Sequence, residues 1–257
     1  MKKLLAILSL AAVLLPVSAK AARTIDFENP EMHVSLPDSA TGRAVVILPG
    51  GAYVMHAMEH EGTDWAPFFN ERGIATLVLR YTLPEGDRNK PMNDVRKAIS
   101  LLRENAAEWG IDPAQIGIMG SSAGGHLAAT VANHFEGVDR PAFQILFYPV
   151  ISLDPAVTHQ VTHDNFLGAA PAAGIQEKFS NENAVTADSP RAIMLLSNDD
   201  DCVVPENSVR YYTALNKAHV PVTMHIYPSG NHGWGFRTSF PFHDAMLLDL
   251  SDWLKTF

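Results

Sequence analysis

The chain has a single cysteine, Cys202, among 257 residues. One thiol allows neither an internal disulfide framework nor a multi-cysteine metal site. Basic residues are also few: Lys and Arg total 19 against 28 Asp and Glu, a formal net charge of −9. Three of the 19, Lys2, Lys3 and Lys20, lie in a segment expected to be removed, and the remaining 16 against 28 leave −12. With no basic run after residue 20, nucleic acid and anionic membrane surfaces are poor partners for it. Charged residues make up only 18% and hydrophobic residues 47%. That is too little charge for disorder and enough apolar material for a sizeable core. Repeats and low-complexity tracts are absent, and the 17 prolines and 17 glycines are spread as loop punctuation. The length suits one large α/β domain or two small ones.

One long apolar run is present, over residues 4–15, interrupted only by Ser9. Lys2-Lys3 precede it, Pro16 breaks it, and Ala19-Lys20-Ala21 supplies a small-x-small cleavage pattern. At about 12 residues the run falls short of the roughly 20 needed to span a bilayer. A buried N-terminal helix is the alternative, but charge, run and small residues in that order point to a signal peptide over 1–21. No cysteine follows the run to carry a lipid. The expected product is exported, periplasmic or secreted, without membrane insertion once the leader is gone. Residues 22–257 are then expected to form a single domain.

Two short β-like stretches open that domain, at 24–27 and 32–36, after which apolar runs alternate with helical patterns. Strands are expected at 43–48, 74–81, 115–119, 143–150, 192–197 and 222–227. Helices are expected at 91–109, 124–134, 206–218 and 241–255. The helix at 91–109 shows its period in Val95, Ile99, Leu102 and Ala106. Such alternation implies right-handed βαβ units and an α/β fold with a mostly parallel sheet covered on both faces. The stretch 151–190 has no clear period. A loop that long inside a domain is usually functional, and it reads as a small cap-like insertion over the carboxyl ends of the strands, where open α/β sheets bind ligands.

Gly120-Ser121-Ser122-Ala123-Gly124 lies between an expected strand and an expected helix. This is the G-x-S-x-G elbow in the context its mechanics require: a sharp turn lifts the Ser122 hydroxyl above the sheet. Ser121 cannot take that place, since Met119 would then stand at the first glycine position. Pro49-Gly50-Gly51-Ala52-Tyr53 follows the strand at 43–48, where an ordinary glycine turn is the plain alternative to an oxyanion loop. With the elbow downstream, the expected donors to a developing oxyanion are the N–H groups of Gly51, Ala52 and Ala123. Pro49 and Ala52 stand where the H-G-G-G pattern has His and Gly, and Ala tolerates fewer backbone conformations.

Of eleven histidines, His232 alone sits in a glycine-flanked loop, Gly230-Asn231-His232-Gly233-Trp234-Gly235, after the last strand. His225 reads as a strand residue and His126 as part of the helix after the elbow. His56 and His60, spaced i, i+4 beside Glu59 and Glu61, invite a zinc site, but the H-E-x-x-H order is missing and no third ligand is apparent. No metal is expected. The run Asp199-Asp200-Asp201-Cys202-Val203-Val204-Pro205 follows the fifth of the main strands, where a carboxylate that orients the imidazole belongs. Asp201 fits a D-x-x-V-P spacing, whereas Asp200 keeps the ungapped distance to Pro190 and to Asn207-Ser208. Asp200 is preferred, the other aspartates capping a helix or shaping the loop, with Asp154 a distant third. The resulting order Ser122, Asp200, His232 points away from chymotrypsin and subtilisin arrangements.

With these residues the chain resembles α/β-hydrolases of the esterase branch across nearly all of 22–257. The likeness runs through Leu48-Pro-Gly-Gly-Ala-Tyr53, His60-Glu61-Gly62, Gly73-Ile74-Ala75 and Ile118-Met-Gly-Ser-Ser-Ala-Gly-Gly-His-Leu127. It continues in Phe179-Ser-Asn-Glu182, Val220-Pro221, His225-Ile-Tyr-Pro228 and the loop at 230–235. These runs are similar to bacterial exported acetyl-xylan and feruloyl esterases of hemicellulose degradation. The resemblance implies a serine carboxylesterase with no cofactor, acting on an acylated oligo- or polysaccharide through a Ser-His-Asp triad and an acyl-enzyme. Acetyl is the expected acyl group, because too few residues precede 43–48 for a large N-terminal cap and the Ala52 methyl trims the acyl side. Tyr53 and Trp234 divide evenly between stacking on a sugar face and plain packing. The alternatives are a feruloyl esterase and a prolyl-oligopeptidase-like serine peptidase, the latter needing an extra domain for which 22–257 leaves no space. A dienelactone-hydrolase-like enzyme would need Cys at 122. A binding module that kept the fold would show a lost Ser, His or acid.

Overall fold

The computed structural model describes residues 23–168 and 170–257; the expected leader over 1–21 lies outside the described residues. The alternation of side chains in β3 (Gly42–Leu48) sets the architecture. Val45 and Ile47 point to one side of the strand, Ala44, Val46 and Leu48 to the other, and all five are fully buried. A strand apolar on both faces has to be covered on both, as parallel sheets are. The other strands are β1 (Arg23–Glu28), β2 (Glu31–Leu36), β4 (Ala75–Arg80), β5 (Ile111–Ser121), β6 (Phe143–Phe147), β7 (Arg191–Ser197) and β8 (Val222–Tyr227). They form one sheet in the order β1-β2-β4-β3-β5-β6-β7-β8. The β1–β2 and β2–β4 pairs are antiparallel, and every pairing from β4 onward is parallel.

Helices α1 (Ala66–Asn70) and α8 (His243–Leu254) cover one face, packing Phe68, Phe69, Met246 and Leu250 onto Val45, Ile47, Ile145 and Leu195. The other face is covered by α2 (Asn89–Glu104), α3 (Ala106–Trp109), α4 (Ser122–His134) and α7 (Glu206–Lys217). There Val95, Leu102, Leu127 and Tyr211 meet Val46, Ile118, Leu146 and Met194. Two further helices, α5 (Gln160–Leu167) and α6 (Ile175–Phe179), lie between β6 and β7. The α/β fold with a mostly parallel sheet is as the alternation of strand and helix patterns required.

Several boundaries differ from expectation for local reasons. The single helix expected over 91–109 breaks at Asn105, whose φ of −100° and ψ of 8° leave the helical region and whose amide donates to the Leu101 carbonyl at 2.8 Å. The strand expected over 143–150 ends at Phe147, because Tyr148 turns to φ 33° ahead of Pro149. The helix expected from 124 begins at Ser122 itself. Helix α1 was not anticipated; it is five residues long with Pro67 near its start. The stretch 151–190 holds α5, α6 and a 3-10 turn at Asn181–Asn183, too short to show a period.

The sheet order positions the site. The chain leaves β3 for β4 on one side and returns to β5 on the other, which makes β3 a topological switch point. Leu48 at the end of β3 is in register with Gly120 near the end of β5. Behind them α4 is buried from Ser122 to Ala132. His126 in its middle accepts from the Tyr53 hydroxyl at Nδ1 (3.1 Å) and donates from Nε2 to the Phe179 carbonyl (3.0 Å).

That buried imidazole links stability to pH. Burial, with His134 and His163 nearby, lowers its pKa to about 4 against the pull of the Phe179 carbonyl. In the unfolded chain His takes a proton near its ordinary value of about 6.5, so folding excludes a proton between those limits. Its contribution is fully present above pH 6.5 and is lost as pH falls toward 4, by about 3 kcal/mol in all. Urea unfolding at pH 7 and pH 4.5 checks this: His126→Gln is expected to lower stability at pH 7 but to flatten its fall with acid. An unchanged slope would remove His126 as its source.

Candidate functional site

The turn from β5 into α4 puts Ser122 at φ 53°, a left-handed conformation rare for residues other than glycine. Backbone crowding makes it possible only with glycine on either side. A Cβ on Gly120 would collide with the Gly124 carbonyl, and one on Gly124 with the Leu48 carbonyl oxygen. Ser122 is 7% exposed, and its hydroxyl lies 2.9 Å from His232 Nε2. His232 Nδ1 lies 2.7 Å from Asp200 Oδ2. The consistent proton assignment has Ser122 O–H donating to Nε2 and Nδ1–H donating to the carboxylate.

The aspartate run separates cleanly. Asp200 is buried, and its Oδ1 accepts from the Cys202 N–H (3.0 Å) and the Val203 N–H (2.8 Å) while Oδ2 faces the imidazole. Asp199 accepts from the Asn231 N–H at 2.8 Å and so shapes the histidine loop. Asp201 is exposed to solvent. Asp154 is elsewhere, paired with Arg210 at 2.9 Å.

The loop after β3 is held at three points. Tyr81 donates its hydroxyl to the Pro49 carbonyl (2.7 Å), the Gly50 N–H donates to Glu61 Oε2 (2.8 Å), and the Asn165 amide on α5 donates to the Ala52 carbonyl (3.2 Å). Gly51 (φ 132°) and Ala52 (φ 55°) make the turn, and among the described residues neither of their N–H groups has an acceptor. Ala123 is the second residue of α4, where an N–H has no partner inside the helix. Ala52 thus adopts a left-handed geometry despite its methyl group. The three expected donors and Ser122 come together at the ends of adjacent strands.

Two further groups were not legible as site residues. Glu61, 3% exposed, accepts from Tyr148 O–H at 2.7 Å as well as from Gly50. The Tyr148 ring packs edge-on against His232, centroids 4.7 Å apart. Their sequence signals were the runs His60-Glu61-Gly62 and Tyr148-Pro149-Val150, which carry no chemistry by themselves. Of the two readings left open for Tyr53 and Trp234, packing is the one the burial favours: they are 2% and 4% exposed. Trp234 lies face to face with Phe240 at 4.0 Å and donates to Ser197 Oγ (3.0 Å), while Tyr53 packs on Phe166 at 5.3 Å. His56 packs edge-on against the Tyr81 ring at 4.4 Å, and His60 faces Arg237 at 3.4 Å. His225 pairs with Asp249 at 3.3 Å on the edge strand.

Ser122 and His232 open into a cleft of about 330 Å³ walled by Gly51, Ala52, Val54, Met55 and Ala57. Val54 and Met55 are more than half exposed. A larger cavity of about 630 Å³ between α1 and β2, lined by Ser35, Asp38, Pro67 and Asn70 among others, has no histidine in its wall. Hydroxyl, imidazole and carboxylate in sequence, facing free N–H groups, can form and hydrolyse an acyl-serine.

An eight-stranded sheet with a serine elbow after β5 defines the α/β-hydrolase class. A family model of the alpha/beta hydrolase fold matches residues 45–236, and the chain belongs to that family. It is 42% identical over 233 residues to an acetylxylan esterase of Xylanibacter ruminicola, covering 88% of this chain and 48% of that protein. It is 32% identical over 211 residues to endo-1,4-beta-xylanase B of Butyrivibrio fibrisolvens, covering 76% of this chain and 33% of that one. The chain therefore spans half or less of the length of these two curated relatives. Among solved structures, an acetyl ester-xyloside bifunctional hydrolase from Caldicellulosiruptor lactoaceticus matches with TM-score 0.82 and 31% identity, covering 88% of each chain. A truncated carbohydrate esterase from gut microbiota, 19% identical with TM-score 0.77 and covering 93% of this chain and 98% of its own, shares the fold.

The crowding at the elbow is testable. Gly124→Ala is expected to destabilise the fold by about 1–3 kcal/mol through overpacking and to lower the urea midpoint. A midpoint equal to wild type would mean that the turn relaxes around the added methyl.

Proposed function

We propose that the protein is a serine carboxylesterase that removes acetyl groups from an acylated plant cell-wall polysaccharide such as xylan. The observation that carries the chemistry is the relay Ser122 Oγ to His232 Nε2 at 2.9 Å and His232 Nδ1 to Asp200 Oδ2 at 2.7 Å. In the proposed reaction His232 takes the Ser122 proton as the hydroxyl oxygen attacks the ester carbonyl. The oxyanion is held by the N–H groups of Gly51, Ala52 and Ala123. The C–O bond to the sugar then breaks, the sugar oxygen leaves with the proton from His232, and the acetyl group remains on Ser122 as an ester. Water repeats the sequence and releases acetate.

The substrate class rests on likeness to the acetylxylan esterase at 42% identity and to the acetyl ester-xyloside hydrolase at 31%. The cleft supports it: a short apolar wall beside an open approach suits a small acyl group on a long polar chain. Residues 22–257 are taken as one domain, with the β6–β7 insert as a small cap. Among the described residues no helix is long and apolar enough to cross a membrane. The leader-like run at 1–21 supports export.

Acetate release from acetylated xylooligosaccharides, with methyl ferulate in parallel, tests the reading. Wild type is expected to release acetate and Ser122→Ala to abolish it. Faster cleavage of ferulate would replace acetyl by hydroxycinnamoyl, and no ester cleavage by folded protein would end the esterase reading. Asp200→Asn is expected to cut kcat by roughly 10⁴-fold, as loss of the correct imidazole tautomer does elsewhere. Asp201→Asn should cost little, and the reverse order would move the acid.

A further inference from the structure

Glu61 is a buried carboxylate with no cation in ion-pair distance among the described residues. Such a group persists only if its lone pairs are hydrogen-bonded. Its two partners belong to different loops. Oε2 accepts from the Gly50 N–H at 2.8 Å, in the loop after β3, and Oε1 accepts from the Tyr148 hydroxyl at 2.7 Å, in the turn after β6. The Tyr148 oxygen accepts in turn from the Gly235 N–H at 2.8 Å, in the loop that carries His232. One continuous chain of hydrogen bonds, Gly50 to Glu61 to Tyr148 to Gly235, thus runs behind the cleft. A second strap lies beside it: the Phe236 N–H donates to the His60 carbonyl at 2.7 Å.

The consequences are geometric. Because Glu61 takes the Gly50 N–H, that group is unavailable to substrate, and the next two N–H groups along the loop, of Gly51 and Ala52, have no acceptor among the described residues. The Tyr148 ring lies edge-on to His232 and 4.9 Å from Trp234, so the residue that links Glu61 to Gly235 also buttresses the imidazole. Burial and the neighbouring Glu61 charge hold the Tyr148 phenol far above its ordinary range, so its proton is present to be donated. Tyr148 keeps φ 33°, the unfavourable backbone that this position demands.

We propose that Glu61 and Tyr148 are positioning residues that lock the oxyanion donors and the His232 loop into one register. The proposal rests on the esterase activity above. Oxyanion stabilisation depends on donors fixed before charge develops, so loosening this chain should weaken the transition state more than the ground state. Tyr148→Phe keeps the ring on His232 and removes only the hydroxyl. Glu61→Gln keeps one acceptor but presents N–H to a phenol that must already accept from Gly235.

Steady-state hydrolysis of 4-nitrophenyl acetate, with binding of an alkyl trifluoromethyl ketone as transition-state mimic, tests it. Each single variant is expected to lose roughly 10–100-fold in kcat, with KM little changed. Ketone affinity should fall by the same factor as kcat/KM, a match that a merely structural role would not produce. The double variant should be no worse than the worse single, since both break one chain. Glu59→Gln, an exposed neighbour, should stay within about twofold, as surface changes do. If Glu61→Gln does not fold, Tyr148→Phe alone decides. Singles equal to wild type, or losses that appear in KM alone or multiply in the double variant, overturn the positioning role while leaving the esterase standing. A folded wild type that cleaves no ester, with Ser122→Ala indistinguishable from it, overturns both.

Discussion

The left-handed turn at Ser122 is the constraint around which the site is arranged. A residue with a side chain held there costs of order 1–3 kcal/mol and survives only where the surroundings over-determine it. Here they do so from three directions. Gly120 and Gly124 let β5 and α4 cross without side-chain collision, and the Val150 N–H, donating to the Ser122 carbonyl at 3.1 Å, ties the turn to the segment after β6. Behind it, the first three turns of α4 are buried against the sheet. The serine is exposed to chemistry because its backbone has little freedom to be anywhere else.

The other loops reach that turn through strand register. Leu48 opposite Gly120 brings the loop after β3 beside the elbow, and Ser121 opposite Phe147 does the same for Tyr148. Ser197 opposite Tyr227 sets the acid loop against the histidine loop. Strain follows the same line. Of the seven non-glycine residues at positive φ among the described residues, five are Ala52, Tyr53, Ser122, Tyr148 and Asn231, all just beyond the carboxyl ends of the parallel strands. The regular sheet below holds these conformations by burying apolar side chains on both faces.

Much of this was legible in the residues, and what was not has a physical reason. The parallel strands showed as apolar runs because both faces are buried, and the elbow showed because only small residues fit a close backbone crossing. Asp200 and His232 were chosen by position after β7 and β8, and the fold sets their side chains 2.7 Å apart. The roles of Glu61 and Tyr148 were hidden, since a carboxylate bonded to a glycine amide and a phenol from distant loops leaves no local spacing to read. Tyr53 and Trp234 show the opposite limit. A tyrosine and a tryptophan flanking site residues look the same in sequence whether they face sugar or core, and only the neighbours, Phe166 and Phe240, distinguish the two.

The three adjacent aspartates show how backbone geometry divides similar charges among different tasks. Successive side chains after β7 point in different directions, so one run can meet two loops and solvent. Asp199 turns to the Asn231 amide, fixing the entry to the histidine loop, and Asp201 turns outward to water. Asp200 alone turns inward, and among the described residues no lysine or arginine lies in ion-pair distance of it. Its Oδ1 is held by two backbone N–H groups, at Cys202 and Val203, which fix the carboxylate plane and leave Oδ2 for His232. Two amides orient the acid better than one flexible lysine would, because their positions are set by the same loop that carries the carboxylate. The imidazole inherits that orientation at Nδ1 and passes it on at Nε2, so in the proposed reaction backbone amides in another loop set the direction in which Ser122 would give up its proton.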